Sequence, residues 1–99
     1  MSDAKWWLVC YDVYDEKRLR VCAKHMEGYG RRLQYSVFRC WMTSTEVARL
    51  RWELTEKLDS EDNVLMIPLC SRCLDQIVGI HQKERPPEWT DQPKRHEIV

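Results

Sequence analysis

The 99-residue chain predicts one α+β domain. Three observations carry that expectation. A nearly continuous apolar run spans Trp6 to Val13, two amphipathic stretches of helical period follow Asp15 and Thr43, and further strand-like runs lie after each of them.

Trp6 to Val13 is rich in strand-favouring residues and reads as a central strand with both faces covered. Asp15 is placed to cap a helix whose Leu19, Cys22, Ala23, Met26 and Tyr29 form one stripe, with Gly28 and Gly30 as its stop. Lys17, Arg18, Arg20 and Lys24 lie mainly off that stripe. Arg32 to Met42 alternates as a second strand, with Gln34, Ser36, Phe38 and Cys40 on one face and Leu33, Tyr35, Val37 and Trp41 on the other. Thr43 and Glu46 have capping-box spacing, and Val47, Leu50, Leu54 and Leu58 are the inward face of a second helix. Asp59 to Asn63 is a polar loop. Val64 to Cys70 is a third strand, where Pro68 removes a ladder donor and marks an edge or a bulge. Gln76 to His81 is a fourth strand. The expected domain covers residues 1–82. Residues 83–99 form a tail with Pro86, Pro87 and Pro93, whose Glu97-Ile98-Val99 end is a candidate strand for docking on a partner subunit. The complement of elements is assigned to the order β-α-β-β-α-β, the ferredoxin-like sandwich with an antiparallel sheet and two helices on one face. That fold hosts many unrelated activities, so the order constrains function only weakly.

A domain of this size buries only about 60–65% of the surface its unfolded chain exposes. Five tryptophans and four tyrosines are a large aromatic load for so small an interior, and a symmetric homodimer is the expected way to cover the surplus. No run approaches the length of a membrane span. The start, Met-Ser-Asp-Ala-Lys, is charged and unlike a signal peptide. Cys10, Cys22, Cys40, Cys70 and Cys73 are odd in number and read as free thiols of a reducing compartment, so a cytoplasmic location without membrane contact is expected. Net charge is zero, with 16 basic and 16 acidic residues. The distribution is uneven. Lys17 to Arg39 holds seven basic residues against the single acid Glu27, whereas Glu46 to Asp62 holds six acids against three basic residues. Such asymmetry fits one face meeting phosphates while another stays in water, and the zero total argues against binding nucleic acid by bulk charge alone.

Asp12 is the sharpest position. A carboxylate leaving the end of a buried strand is a candidate ligand for Mg²⁺, which takes one or two protein carboxylates and completes its shell with water and phosphate oxygens. The alternative is a turn residue bonded to nearby backbone amides. Arg18, Arg20, Arg31 and Arg32 are candidate phosphate contacts, because the guanidinium fork grips phosphate oxygens in pairs. Their alternative is a solvated face with surface ion pairs. Cys70-Ser-Arg-Cys73 lacks the second ligand pair of a structural zinc site, and exposed loop thiols are its default reading. No Ser or Cys stands in a nucleophile-elbow context, and there is no glycine-rich phosphate loop. Trp6, Trp7, Trp41, Trp52 and Trp89 are assigned mainly to packing rather than to stacking on bases.

The apolar strand ending in Tyr11-Asp12, then Arg18-Leu-Arg20-Val21, Tyr29-Gly30 and Arg32-Leu-Gln34-Tyr-Ser36-Val-Phe38, resembles the CRISPR-associated protein 2 family. The detailed match covers roughly the first 40 residues, and the remainder agrees in length and element order. The resemblance implies a ferredoxin-like homodimer with the two Asp12 residues facing across its interface. It also implies an Mg²⁺-dependent endonuclease acting on single-stranded RNA or double-stranded DNA. A further implication is a bridge between integrase subunits (CRISPR-associated protein 1) and protospacer DNA during spacer acquisition. Asp12 would then be both the catalytic residue and the metal ligand. Arg18, Arg20 and Arg32 would hold phosphates, while Tyr11 and Phe38 would shape the site or the interface. Many relatives carry a Glu directly after the Phe, where this chain has Arg39, which makes that region more basic. A catalytically inactive scaffold and a ribonuclease toxin on the same fold stand as the alternatives.

Overall fold

The apolar run becomes β1, Lys5–Asp12, the strand on which the sheet is built. A computed structural model describes residues 3–78. Its further elements are α1 Glu16–Glu27, β2 Gly30–Gln34, β3 Val37–Met42, α2 Ser44–Lys57, β4 Asn63–Leu69 and a short α3 Ser71–Asp75. The sheet order is β2-β3-β1-β4, antiparallel throughout. β1 pairs with β3 from Lys5↔Met42 to Cys10↔Val37, and with β4 from Trp6↔Leu69 to Asp12↔Asn63.

Alternation along β1 divides the sheet into two faces. Val9 and Tyr11, with Phe38, Cys40 and Met42 from β3, form the core together with Cys22 and Met26 of α1 and Leu50 and Leu54 of α2. Both long helices therefore cover one face, as expected. Trp6, Leu8, Cys10 and Asp12 point to the other, beside Val37, Arg39 and Trp41 of β3 and Leu65, Ile67 and Leu69 of β4. Asp15 caps α1 by accepting the Arg18 amide at 2.9 Å. The Thr43–Glu46 capping box opens α2. The two helices are braced by Glu53, whose Oε1 accepts the Tyr29 hydroxyl at 2.5 Å and bonds His25 Nε2 at 2.9 Å. Burial and this bond to an acceptor that prefers its proton hold the Tyr29 phenol above its usual range, and the Tyr29 hydroxyl holds Glu53 below the usual carboxylate range.

Two boundaries differ from the sequence reading. The segment Arg32 to Met42 is not one strand but parts of two, joined through Tyr35–Ser36. Neither turn residue is Gly, Asn or Asp, the types that mark two-residue hairpins, so the alternation runs through the turn unannounced. The register shifts between Arg32↔Phe38 and Gln34↔Val37. Paired residues share a face, so Arg32 lies beside Phe38 and Arg31 beside Arg39. Gly30 is required by proximity rather than by a helix stop: a Cβ there would meet the Arg39 carbonyl oxygen at 2.1 Å and Cys40 Sγ at 2.6 Å. The second difference lies after β4. Ser71–Asp75 is helical and Gln76 to Val78 is not strand. The order β-α-β-β-α-β is thus completed by the hairpin and β4, not by Gln76–His81. The rest of that expected strand, the tail and Glu97–Val99 lie outside the described residues. Pro68 lies on β4, which among the described residues is an edge strand, the place where a missing donor is tolerated.

Candidate functional site

Asp12 is the last residue of β1, exposed, on the sheet face opposite α1 and α2, and paired in register with Asn63 at the start of β4. The Asp12 charge, first, and hydrogen bonding to it push the nearby Tyr14 phenol above its ordinary value. The amide-bonding role that a turn carboxylate would play falls to its neighbours. Asp15 accepts the Arg18 amide, and Asp62 accepts the Tyr14 amide at 3.1 Å.

Asp62 is the hub of the surrounding loops. Its side chain is wholly buried. It also accepts the Asp59 amide at 2.9 Å and Arg18 Nε at 2.9 Å, and a second fork nitrogen of Arg18 reaches it at 3.4 Å. Arg18 Nη2 meets Glu61 at 2.9 Å, and Nη1 lies 3.7 Å from Asp59. The Arg18 bonds, aided by the Asp59 and Tyr14 amides, hold the Asp62 carboxyl at about 2. The same contacts raise the Arg18 guanidinium above its usual range. One side chain thereby ties the β1–α1 loop that follows Asp12 to the α2–β4 loop that precedes Asn63.

The four candidate arginines do not form one cluster. Arg18 faces the acidic loop with its fork engaged. Arg20 is two residues on and so lies about 160° around the helix axis; it is exposed. Arg31 and Arg32 are exposed on β2, whose residues alternate between the two faces, and the Arg32 guanidinium lies 5.3 Å from the Phe38 ring centroid. Phe38 is fully buried and stacks on Tyr11 with centroids 6.1 Å apart. Tyr11 is also buried, which pushes its phenol up. Tyr11 and Phe38 therefore form the floor beneath Arg32, behind the strand that carries Asp12. Arg39 is buried on the face opposite α1 and α2, 4.6 Å from the Trp6 ring centroid, and so adds no exposed positive charge. Among the described residues no three His, Cys, Asp or Glu side chains converge as metal ligands.

Residues 5–77 match the family described as CRISPR associated protein Cas2. The chain belongs to the Cas2 family. The CRISPR-associated endoribonuclease Cas2 2 of Synechocystis sp. is 40% identical over 89 residues, covering 85% of this chain and 95% of the relative. The solved structure of Streptococcus pyogenes Cas2 superposes with a TM-score of 0.68 at 33% identity, covering 76% of this chain and 98% of that one. A chain of a partial Cas6-RT-Cas1–Cas2 complex gives a TM-score of 0.71 at 25% identity, covering 77% and 90%.

Within the Cas2 fold the residues that sequence reasoning overlooked are Asp62 and Tyr14. Both carried a signal. Asp62 directly precedes the strand that comes to lie against Asp12, and Tyr14 stands two residues after it. The acidic excess of 46–62 is not merely a water-facing surface, because its last carboxylates neutralise Arg18.

Proposed function

We propose that this chain is the adaptation subunit of a CRISPR system, a cytoplasmic homodimer that binds nucleic acid by its backbone and cleaves phosphodiesters with Mg²⁺. The observation that carries the reading is the sheet face opposite α1 and α2. Asp12 stands at its end, and Leu65 and Ile67 are 64% and 41% exposed on the same face. A second copy covering those side chains joins two such faces and gathers two carboxylates near one place, the hard oxygen donors that Mg²⁺ takes. One chain alone offers a single carboxylate, so the donor set fits the ion only as half of a pair. Bound there, Mg²⁺ would supply positive charge to a phosphodiester and acidify a water.

The chain's own residues set the rest. Asp62 fixes the loops on either side of Asp12 and Asn63. Arg20, Arg31 and Arg32 are the exposed fork donors for phosphate oxygens, contacts that position a duplex without reading its sequence. Arg18 acts by holding the Asp62 loop rather than by meeting phosphate. CRISPR-associated protein 1 is the integrase partner and protospacer DNA the bound duplex, a reading supported by the Cas1–Cas2 complex among the related structures. Among the described residues no helix is long and apolar enough to cross a membrane. The sparse donor set of a single chain favours one further reading, a scaffold that bridges integrase subunits with cleavage as a separate activity.

Testing Asp12→Ala side by side in cleavage and spacer-integration assays separates the two. The variant is expected to remain a folded dimer, to lose Mg²⁺-dependent cleavage of RNA or duplex DNA, and to retain integration. Unchanged cleavage overturns the ligand role. Replacing Arg20, Arg31 or Arg32 by Ala is expected to weaken duplex binding and to reduce the slope of log affinity against log salt by about one each. Arg18→Ala should lower thermal stability and leave that slope unchanged.

A further inference from the structure

Five cysteines fall into two sets. Cys22 and Cys40 are buried, and burial pushes their thiols up to about 11 and about 12; Cys10 is half-buried and likewise raised. Cys70 and Cys73 are exposed, and their sulfurs lie 3.2 Å apart. The local backbone accounts for the approach. Cys70 is the extended junction residue between β4 and α3, with φ −89° and ψ 169°. Cys73 follows it by three residues inside α3, the spacing that places side chains over one another. A disulfide bond is about 2.05 Å long, so the pair closes by about 1.2 Å of sulfur travel, within reach of small side-chain rotations. Hydrogen bonding from Cys73, whose sulfur lies 3.2 Å away, holds the Cys70 thiol below its ordinary value. Cys70 is thus the sulfur better prepared to act as a thiolate, and the thiolate is the nucleophile in exchange.

We propose that Cys70 and Cys73 are a redox-active dithiol, oxidised to an intramolecular disulfide by a low-molecular-weight disulfide of the glutathione class. The Cys70 thiolate attacks one sulfur of the oxidant, forming a mixed disulfide and expelling the first thiolate. Cys73 loses its proton to solvent and attacks Cys70 Sγ, forming the Cys70–Cys73 bond and expelling the second thiolate. Two electrons pass from the dithiol to the oxidant, and the two released thiolates take up the two protons. A structural zinc site is the competing use of such a pair. It needs four ligands, and no third His, Cys, Asp or Glu joins these two among the described residues. The bond forms one residue beyond Leu69, which pairs with Trp6, so oxidation fixes the backbone where the edge strand hands over to the rest of the chain. None of this depends on the nuclease reading.

The test uses the reduced full-length protein equilibrated with graded ratios of oxidised to reduced glutathione. Free thiols are quenched with N-ethylmaleimide, and the products are mapped by mass spectrometry. Preorganisation is expected to bring the Cys70–Cys73 disulfide to half-formation at an oxidant ratio about tenfold lower than a free peptide of residues 67–76 requires. Cys73→Ser should trap glutathione on Cys70, whereas Cys70→Ser should leave Cys73 largely alkylated. Oxidation at the same ratio as the peptide overturns the proposal, as does a disulfide made through Cys10, Cys22 or Cys40. So does chelator-reversible protection of both thiols by Zn²⁺, which would assign a metal site instead.

Discussion

Asp62 decides more about the site than its place in an acidic loop announces. Its carboxylate gathers the Tyr14 and Asp59 amides, from the loops beside Asp12 and Asn63, and the Arg18 fork from the first turn of α1. The pH consequence follows from the direction of its shift. The folded carboxyl titrates at about 2, against an ordinary 3.8, so its stabilising contribution is complete above the ordinary value and is lost as pH falls through the folded one. Acid unfolding is therefore expected to steepen between about pH 4 and about pH 2, and Asp62→Asn should flatten that limb while lowering the melting temperature at neutral pH. Circular dichroism against pH for both proteins checks it, and an unaltered acid limb would remove Asp62 from its role. At this scale the sequence made Asp12, Tyr11 and Phe38 legible, because a strand end and an apolar alternation locate them. The fate of Arg18 was not legible: its partners lie 41 to 44 positions away, and only the tertiary fold brings that loop to α1.

The elements were readable in proportion to how local their determinants are. Both long helices carry their own signals, an apolar stripe and a side-chain cap within three residues, and both form where those signals place them. The β2–β3 hairpin has no such signal, since Tyr35 and Ser36 adopt the turn under the pull of Phe38, Cys40 and Met42 into the core. The close approach at Gly30 is what lets β2 begin against β3. Gly30→Ala is therefore expected to spread the hairpin at a cost of about 1–3 kcal/mol, since the added methyl meets backbone. Thr43→Ala, which removes a cap without moving the sheet, should cost about 1 kcal/mol. Denaturant melts measure both, and amide exchange locates them: the first should loosen residues 30–40 and the second the first turn of α2. A Gly30→Ala protein as stable as wild type would mean that β2 can shift without cost.

At the scale of the whole molecule, among the described residues, two long helices cover one side of the sheet and Leu65 and Ile67 are exposed on the other. Leu65→Asp with Ile67→Asp is expected to leave the helical core intact, because both side chains are solvent-exposed, and to convert a dimer to a monomer in sedimentation. Cleavage should fall with self-association if two Asp12 carboxylates share one ion. A monomeric wild-type protein would refute the proposed assembly. The sheet order has a different consequence for how the molecule is made. β1 leaves the ribosome before β3 and β4, its neighbours in the sheet, and Asp12 meets Asn63 only after β4 has begun to emerge. Among the described strands, the one that carries the candidate ligand is thus the earliest begun and the latest completed. A nascent chain stalled short of Asn63 presents an open apolar edge to the other chains on its polysome, not a half-working site.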